Sequence, residues 1–447
     1  MPPPNDSLAR PYRTLLTSFA TWKLFLFAIT LGSALVGEAY DTSADLVVRG
    51  LAGSDVPAVR RPTADLGTSL VARLTSWDAI YFVTAARRGY RFEQEWAFGA
   101  GLPVVVRGLL RALEHTGLVG PSTPYTGAVP EALAGIAVAN TAHLLSVLIL
   151  YRLGQVVWRD QTLSLVAALL HIISPAGLFL SAPYAESSFA LLSFSGYLLF
   201  ALSCRAERSP SRRDLYTILA GVLFGLATAF RSNGILNGLP FAWEVLRALP
   251  RLPSRPTDTI RRLLALGVGG VCVAAGSAGP QAAAYLHFCS GASGAAAPPR
   301  PWCQGYLPSI YAFVQRHYWN TGFLRYWVAP NIPLFLLATP MLLVLIQSGL
   351  EHIGDRRLRL ADKPAESARL VALVRSAASA QVLLAVLALT TYHVQIITRI
   401  SSGYPLWYWW LAGRLVRGEK TGKRIVMFMV IYASVQGALF ASFLPPA

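Results

Sequence analysis

Apolar runs of about 20 residues recur along this chain from residue 16 to residue 443, separated by short polar stretches rich in arginine. An α-helix rises about 1.5 Å per residue, so a run of roughly 20 apolar residues reaches across ~30 Å of hydrocarbon. The pattern predicts eleven spans, at 16–36, 133–157, 163–182, 186–204, 214–231, 233–249, 263–288, 331–349, 376–398, 404–416 and 425–443. The run at 404–416 is short, and Trp407, Trp409 and Trp410 suit a helix partly at the interface. Residues 41–130 and 289–330 are too polar to cross and read as two large loops. The run at 16–36 exceeds the usual apolar core of a cleaved signal, and no small-residue cleavage site follows it, so it is read as a retained first span. The fold class predicted is an all-α integral membrane protein, one multi-span helical bundle over residues 1–447.

Composition agrees with this. The 447 residues are 54% hydrophobic and only 14% charged, and mean hydropathy is +0.46. The net charge of +17 raises the question of nucleic acid, but no basic stripe lies on a soluble module, and no nucleic-acid partner is expected. The basic residues occupy loops instead, where they set orientation. With the N-terminus cytosolic and sides alternating, 25 of the 39 Lys and Arg fall on the cytosolic side, while the acidic residues split 11 and 11. That is the positive-inside bias, and it places both large loops on the lumenal side. The sequon at Asn5 is then cytosolic and unused.

Within the first loop, 104–118 sets Arg107, Arg111 and Glu114 on one helical face and Val106, Leu109, Leu110 and Leu113 on the other. Such a helix lies along the membrane surface or packs on the bundle, and the pattern leaves both open. Cys289 and Cys303 share the second loop, and in an oxidising compartment a disulfide there closes about 15 residues, contributing about 3 kcal/mol on the chain-entropy model. Cys204 and Cys272 lie in or near spans and are expected to be free. Gly221 and Gly225 form a small-xxx-small pair suited to helix packing. No His/Cys cluster has zinc spacing and no glycine-rich phosphate loop precedes a helix, so neither metal nor cofactor is expected.

Once the topology is drawn, the unusual polar residues collect on one side. They are Trp77-Asp78 in the first loop, Tyr184 and Glu186 after Pro183, Arg231-Ser232-Asn233 at the next hairpin tip, Trp302, His317 and Tyr318 in the second loop, and Gln395 and Arg399 at the end of the ninth span. Ionisable groups at membrane depth are costly and face a cavity or a partner. Asp78 and Glu186 could each simply start a helix, where the dipole favours a carboxylate. Arg231 could serve a structural ion pair, Arg399 could be an interfacial anchor, and His317 with Tyr318 could belong to an aromatic belt. Taken together, the set suits glycosyl transfer from a lipid phosphate. Asp78 would act as base toward an acceptor hydroxyl, and Arg231 and Arg399 would hold the departing phosphate.

The ordered motifs sharpen this. Trp77-Asp78-Ala79-Ile80-Tyr81-Phe82, Arg88-Gly89-Tyr90, Glu95-Trp96-Ala97-Phe98, Pro183-Tyr184-Ala185-Glu186-Ser187 and Arg231-Ser232-Asn233-Gly234 are followed by 302–327, His393-Val394-Gln395-Ile396-Ile397-Thr398-Arg399 and Phe443-Leu444-Pro445-Pro446. Nearly end to end, the chain resembles the GPI mannosyltransferase 2 family (PIG-V type), in its filamentous-fungal branch. The resemblance implies a GT-C superfamily bundle in the endoplasmic reticulum membrane with a lumenal site. It implies dolichyl-phosphate mannose as donor and an α1,6-linked second mannose added to the glycosylphosphatidylinositol precursor. It also implies a single inverting displacement, no metal, and in fungi a small membrane subunit as partner. Beside Asp78, the residues expected at the donor are Arg231, Arg399, Gln395, His317 and Tyr318. Those expected at the acceptor or in support are Trp77, Glu93, Tyr184, Glu186, Ser232, Asn233 and Trp302. One departure from the family pattern is Gly99-Ala100-Gly101 before Leu102-Pro103, where a proline-bearing turn is usual; glycine would permit backbone angles that turn lacks. Two other readings are a GT-C transferase with a different acceptor and a lipid or sugar transporter. The latter calls for paired halves, and no internal repeat is seen.

Overall fold

A computed structural model of the protein describes residues 9–49, 66–118, 120, 127–290 and 300–445, and every regular element among them is helical. In chain order the α-helices are α1 (Pro11–Val36), α2 (Ser43–Arg49), α3 (Leu66–Leu74), α4 (Ala79–Arg88), α5 (Gly101–His115), α6 (Val129–Trp158), α7 (Gln161–Ile172), α8 (Glu186–Arg205) and α9 (Pro210–Phe230). They continue as α10 (Leu239–Ala248), α11 (Pro256–Phe288), α12 (Ile310–His317), α13 (Ile332–Gly354), α14 (Pro364–Thr390), α15 (Ile397–Ile400), α16 (Leu406–Val416) and α17 (Lys420–Ala441). Four of the long helices begin on a proline, at Pro11, Pro210, Pro256 and Pro364, where the missing N–H is not needed and the fixed φ suits the first turn. Asn5 and Pro446, and parts of both large loops, lie outside the described residues.

Among the described residues eight helices, not eleven, are long and apolar enough to cross a bilayer: α1, α6, α8, α9, α11, α13, α14 and α17. The other three expected spans are interrupted. Over 163–182, α7 stops at Ile172 and a 3-10 turn follows at Gly177–Leu180. Ser174-Pro175 is the cause, because proline offers no N–H and pushes its predecessor out of the helical region. Over 233–249, the 3-10 stretch Ser232–Gly238 precedes the 10-residue α10. Over 404–416 only the 11 residues of α16 are α-helical, behind Tyr404-Pro405.

The first of these segments still returns the chain along the bundle. Gly154 packs on Ser164 and Gly135 packs on Pro183, so 164–183 runs antiparallel to α6 for roughly 28 Å at the helical rise. The ninth expected span, 376–398, is displaced toward the N-terminus, since α14 ends at Thr390. The second loop ends it: Leu324 and Gly322 donate their N–H groups to the carbonyls of Thr390 and Thr391, at 2.6 and 3.1 Å. Gln395 and Arg399 therefore sit beyond α14, on the 3-10 turn Val394–Ile396 and on α15.

Irregular backbone inside a bundle of this kind must find partners within the protein. At 173–185 they come from three neighbouring helices. Lys23 of α1 donates to the Leu180 carbonyl (3.0 Å) and Ser181 Oγ (2.7 Å). Asn140 of α6 donates to the Ser181 carbonyl (3.1 Å), and Gln436 of α17 accepts from the Leu178 N–H (3.3 Å). Elsewhere packing is close, as expected for the glycine pair: Gly221 lies on the backbone of Gly269 and Gly225 on that of Cys272, drawing α9 against α11.

The two loops cover one end of the bundle. Tyr40 N–H donates to the Ser442 carbonyl (3.0 Å), and the Trp77 ring packs 5.1 Å from Phe443, at the end of α17. In α5, Leu102, Val106 and Leu110 are buried while Val104, Val105 and Leu109 face outward, so one stripe packs on the bundle and a second apolar stripe is left exposed. Arg107 donates to the carbonyls of Ala85 and Ala86 and so ties α5 to the end of α4 (2.7 and 2.8 Å). In the second loop, Trp302, Ile310 and Val314 form a small core with Ala284 of α11. Cys289 and Cys303 are disulfide-bonded beside it with Cα atoms 5.7 Å apart, and Cys204 and Cys272 are free.

Candidate active site

The three interrupted spans and the first loop converge at the covered end of the bundle. Between α3 and α4 the chain turns at Trp77, whose φ of 59° lies in the left-handed region. For a non-glycine residue that conformation costs roughly 1–2 kcal/mol, and the contact with Phe443 holds it there. The turn sets Asp78 at the head of α4, yet its side chain makes no capping hydrogen bond to that helix. It turns inward instead, and its Oδ2 lies 2.7 Å from Arg399 Nη2. The helix-start reading of Asp78 therefore describes its backbone and not its carboxylate.

Glu186 is likewise the first residue of α8 with its carboxylate directed elsewhere. Its Oε1 lies 2.5 Å from Arg231 Nη1 and 3.6 Å from Arg399 Nε. Asp78, Arg399, Glu186 and Arg231 thus form one chain of alternating charge. Glu186 is the deepest, with 1% of its side chain exposed, against 14% for Arg399, 16% for Arg231 and 29% for Asp78. Two carboxylates balance two guanidiniums, which is how charges are tolerated at this depth. The Arg399 guanidinium also lies over the rings of Phe179 and Tyr184, at 4.9 and 5.5 Å.

Asp78, Arg231 and Arg399 all face a cavity of about 540 Å³. Phe98, Phe179, Phe230 and Trp319 give it an apolar wall, and Trp77, Tyr184, Ser232, Asn233 and Gln395 also line it. Asn233 is oriented by Tyr404, which exchanges hydrogen bonds with its side chain and carbonyl (3.2 and 3.1 Å). Gln395 accepts from Tyr326 OH (3.2 Å), and Tyr184 OH donates to the Ser76 carbonyl (3.2 Å). Tyr81 lines the cavity from α4, and burial, with the charges of Asp78 and Glu95 adding, pushes its phenol up, so it stays a neutral donor.

Five of the expected residues do not line this cavity: Glu186, which lies behind the two arginines, and four that stand apart from it. Glu93 accepts from Trp302 Nε1 (2.8 Å) and Tyr318 OH (3.1 Å), so these three join the two loops to each other beside a smaller hollow of about 250 Å³. Tyr318 is pushed up by burial and by its bond to the Glu93 carboxylate. His317 stacks on Phe313 at 5.0 Å. The reason is helical period. Tyr311 and Gln315, one turn apart on α12, face the cavity together with Trp319, while His317 and Tyr318 project from other faces. Tyr311 and Gln315 were missed by sequence reasoning, although their i, i+4 spacing was a usable signal. Tyr404 was missed as well; Gly403-Tyr404-Pro405 marked a turn but gave no hint of its partner.

The Gly99-Ala100-Gly101 departure has a different cause from the one expected. Neither glycine has a positive φ. A Cβ on Gly99 would come within 2.0 Å of the Phe230 carbonyl oxygen, and one on Gly101 within 2.3 Å of the Phe230 ring. The glycines allow the first loop to close on the last residue of α9, immediately before Arg231. Among the described residues no three His, Cys, Asp or Glu side chains cluster as metal ligands.

Helices of bilayer-crossing length, capped at one end by two loops over a cavity lined by a carboxylate and two guanidiniums, define an integral membrane protein with a substrate site at that end. Comparison with known proteins narrows the class. A family model described as mannosyltransferase (PIG-V) matches residues 63–447. GPI mannosyltransferase 2 of Chaetomium globosum is 72% identical over 457 residues, covering 98% of this chain and 96% of its own. GPI mannosyltransferase 2 of Gibberella zeae is 44% identical, covering 99% of each. Among solved structures, an Archaeoglobus fulgidus oligosaccharyltransferase aligns with 94% of this chain at 14% identity and a TM-score of 0.40. This chain spans 55% of that protein's length. The chain belongs to the PIG-V family of mannosyltransferases.

Proposed function

We propose that this chain adds the second mannose, in α1,6 linkage, to the one-mannose glycosylphosphatidylinositol precursor, taking it from dolichyl-phosphate mannose on the lumenal face of the endoplasmic reticulum. The N-terminus is then cytosolic. The observation that carries the reading is the joint exposure of Asp78, Arg231 and Arg399 in one cavity with an apolar wall. The names borne by the 72% and 44% identical relatives support it.

In this reading Asp78 accepts the proton of the acceptor hydroxyl as its oxygen bonds to C1 of mannose. The bond from C1 to the phosphate oxygen breaks, and its electron pair leaves with dolichyl phosphate. A β-linked donor yields an α-linked product in one inversion, so no covalent nucleophile is required. The phosphate gains one negative charge as Asp78 loses its own, and the net charge of the site is conserved. Arg231 and Arg399 act where the charge grows. The apolar wall of Phe98, Phe179, Phe230 and Trp319 suits the lipid portion of a substrate. Neither metal nor cofactor enters this scheme, and a small membrane subunit accompanies the chain in the fungal setting.

The test uses microsomes from cells whose own activity for this step is deleted, supplied with this chain, labelled dolichyl-phosphate mannose and one-mannose precursor. Appearance of a two-mannose lipid sensitive to α1,6-mannosidase is expected. Labelling of a different acceptor, or rescue of a different accumulated precursor, would overturn the assignment.

A further inference from the structure

Arg399 is suspended between two carboxylates, and only one of its two bonds is made. Its Nη2 is 2.7 Å from Asp78, whereas its Nε is 3.6 Å from the nearer oxygen of Glu186 and has no hydrogen-bond partner. Glu186 Oε2 is also buried without a partner. The nearer oxygen, Oε1, already accepts from Arg231, so the same carboxylate presents one bonded oxygen and one buried, unpartnered oxygen to a guanidinium whose Nε also lacks a partner, an arrangement that a small rotation would relieve. What holds it open is the pair with Asp78. That pair engages Oδ2 and places a positive charge against the carboxylate which, on the function proposed above, has to take the acceptor's proton.

From this geometry we propose that Glu186 is a positioning residue. Entry of the donor phosphate draws Arg399 from Asp78 onto phosphate and Glu186, which releases the Asp78 carboxylate to act as base. No covalent bond changes in this step; one ion pair is exchanged for another. The inference rests on the mannosyl-transfer reading and deepens it. Three features support the exchange. Glu186 is kept outside the cavity while both arginines line it, so it acts from behind and touches no substrate. Arg231 holds Oε1 at 2.5 Å, the same oxygen that faces Arg399 Nε, and so fixes the carboxylate as a pivot. The rings of Phe179 and Tyr184 beneath the guanidinium offer a flat surface over which it can turn. The arrangement would tie base release to occupancy by the donor, so that Asp78 is free only when there is a sugar to transfer.

Two measurements test it. In Glu186→Gln the pivot loses its charge, Arg399 stays with Asp78, and the site carries one extra positive charge toward phosphate. The expected result is kcat at least about 10-fold lower with the donor KM unchanged or lower. Rates are taken per monodisperse chain, so that loss of folded enzyme does not lower kcat; a raised KM, or an unchanged kcat, overturns the proposal. The second measurement needs no variant: a structure of the wild-type chain with dolichyl phosphate bound. Arg399 Nε within about 3.2 Å of Glu186, with Nη2 more than about 4 Å from Asp78, is expected. Retention of the Asp78–Arg399 pair beside bound phosphate would overturn it. Wild-type transfer activity in the same preparation separates the two claims: its absence sinks the mannosyl-transfer reading, while its presence with either contrary result sinks only the exchange.

Discussion

Asp78 and Arg399 meet at 2.7 Å although 321 positions separate them in the chain. The contact joins the first loop to the segment between α14 and α16, and both partners line the same cavity. Among the described residues Arg399 is the one cation at ion-pair distance from Asp78, and Glu186 is the one other carboxylate at that distance from Arg399.

Asp78→Asn keeps the size and the hydrogen bond to Arg399 but cannot accept the acceptor's proton. Mannose transfer in microsomes is expected to fall by at least ~100-fold, the usual contribution of a positioned base. Protein level and detergent elution profile should match wild type. Activity within a few fold of wild type would remove Asp78 as the base.

The glycines at 99 and 101 make a paired prediction, because they meet different parts of Phe230. Gly101→Ala collides with the ring, so Phe230→Ala in the same chain should restore much of the lost transfer. Gly99→Ala collides with the backbone carbonyl, and the same second change should restore nothing. Equal rescue in both cases would show that the contact is not what places the loop.

Lys23→Met removes the donor to the Leu180 carbonyl and to Ser181 Oγ. A buried polar group left without its partner costs roughly 1–3 kcal/mol, and the melting temperature in detergent should fall accordingly. Transfer should fall with it, because 173–185 leads directly into Glu186. A variant melting like wild type would show that Lys23 does not hold this break together.

Glu95 makes the pH-dependent case. Burial raises its pKa, but the Arg88 guanidinium (2.5 and 3.2 Å) and the backbone N–H groups of Arg91 and Phe92 together outweigh burial and hold it below the ordinary glutamate value of 4.5. A carboxyl whose folded pKa is depressed stabilises the fold fully above its unfolded value and loses that contribution as pH falls through the folded one. Melting temperature of the wild type should therefore decline on acidification below about pH 4.5, and Glu95→Gln should flatten that decline while lowering stability at neutral pH. Identical pH profiles for the two chains would count against the Glu95 network.

How much of this was legible in the sequence differs from element to element. The long spans were, since an apolar run over Pro11–Val36 or Lys420–Ala441 has few alternatives; their first turns were not, because hydropathy begins the spans at 214, 263 and 376 whereas the helices begin earlier, on Pro210, Pro256 and Pro364. The pairing of Cys289 with Cys303 was readable from their sharing of one loop. The interruptions were not, because hydropathy scores 163–182 as it would a continuous helix. Ser174-Pro175 was the local cue, but what makes the break tolerable is Lys23, Asn140 and Gln436, which come from three other helices.

The candidate site divides along the same line. The sequence by itself determined an all-helical membrane body, two large loops, a family, and the residue types gathered on one side, because hydropathy and local motifs are properties of contiguous residues. Only the tertiary structure decided that Asp78, Arg399, Glu186 and Arg231 make one chain of alternating charge, and that His317, Tyr318, Trp302 and Glu93 stand outside the cavity. Those outcomes depend on where helices stop and which face each residue occupies. A long-range ion pair leaves no periodic trace along the chain; it exists only once packing has brought its partners together.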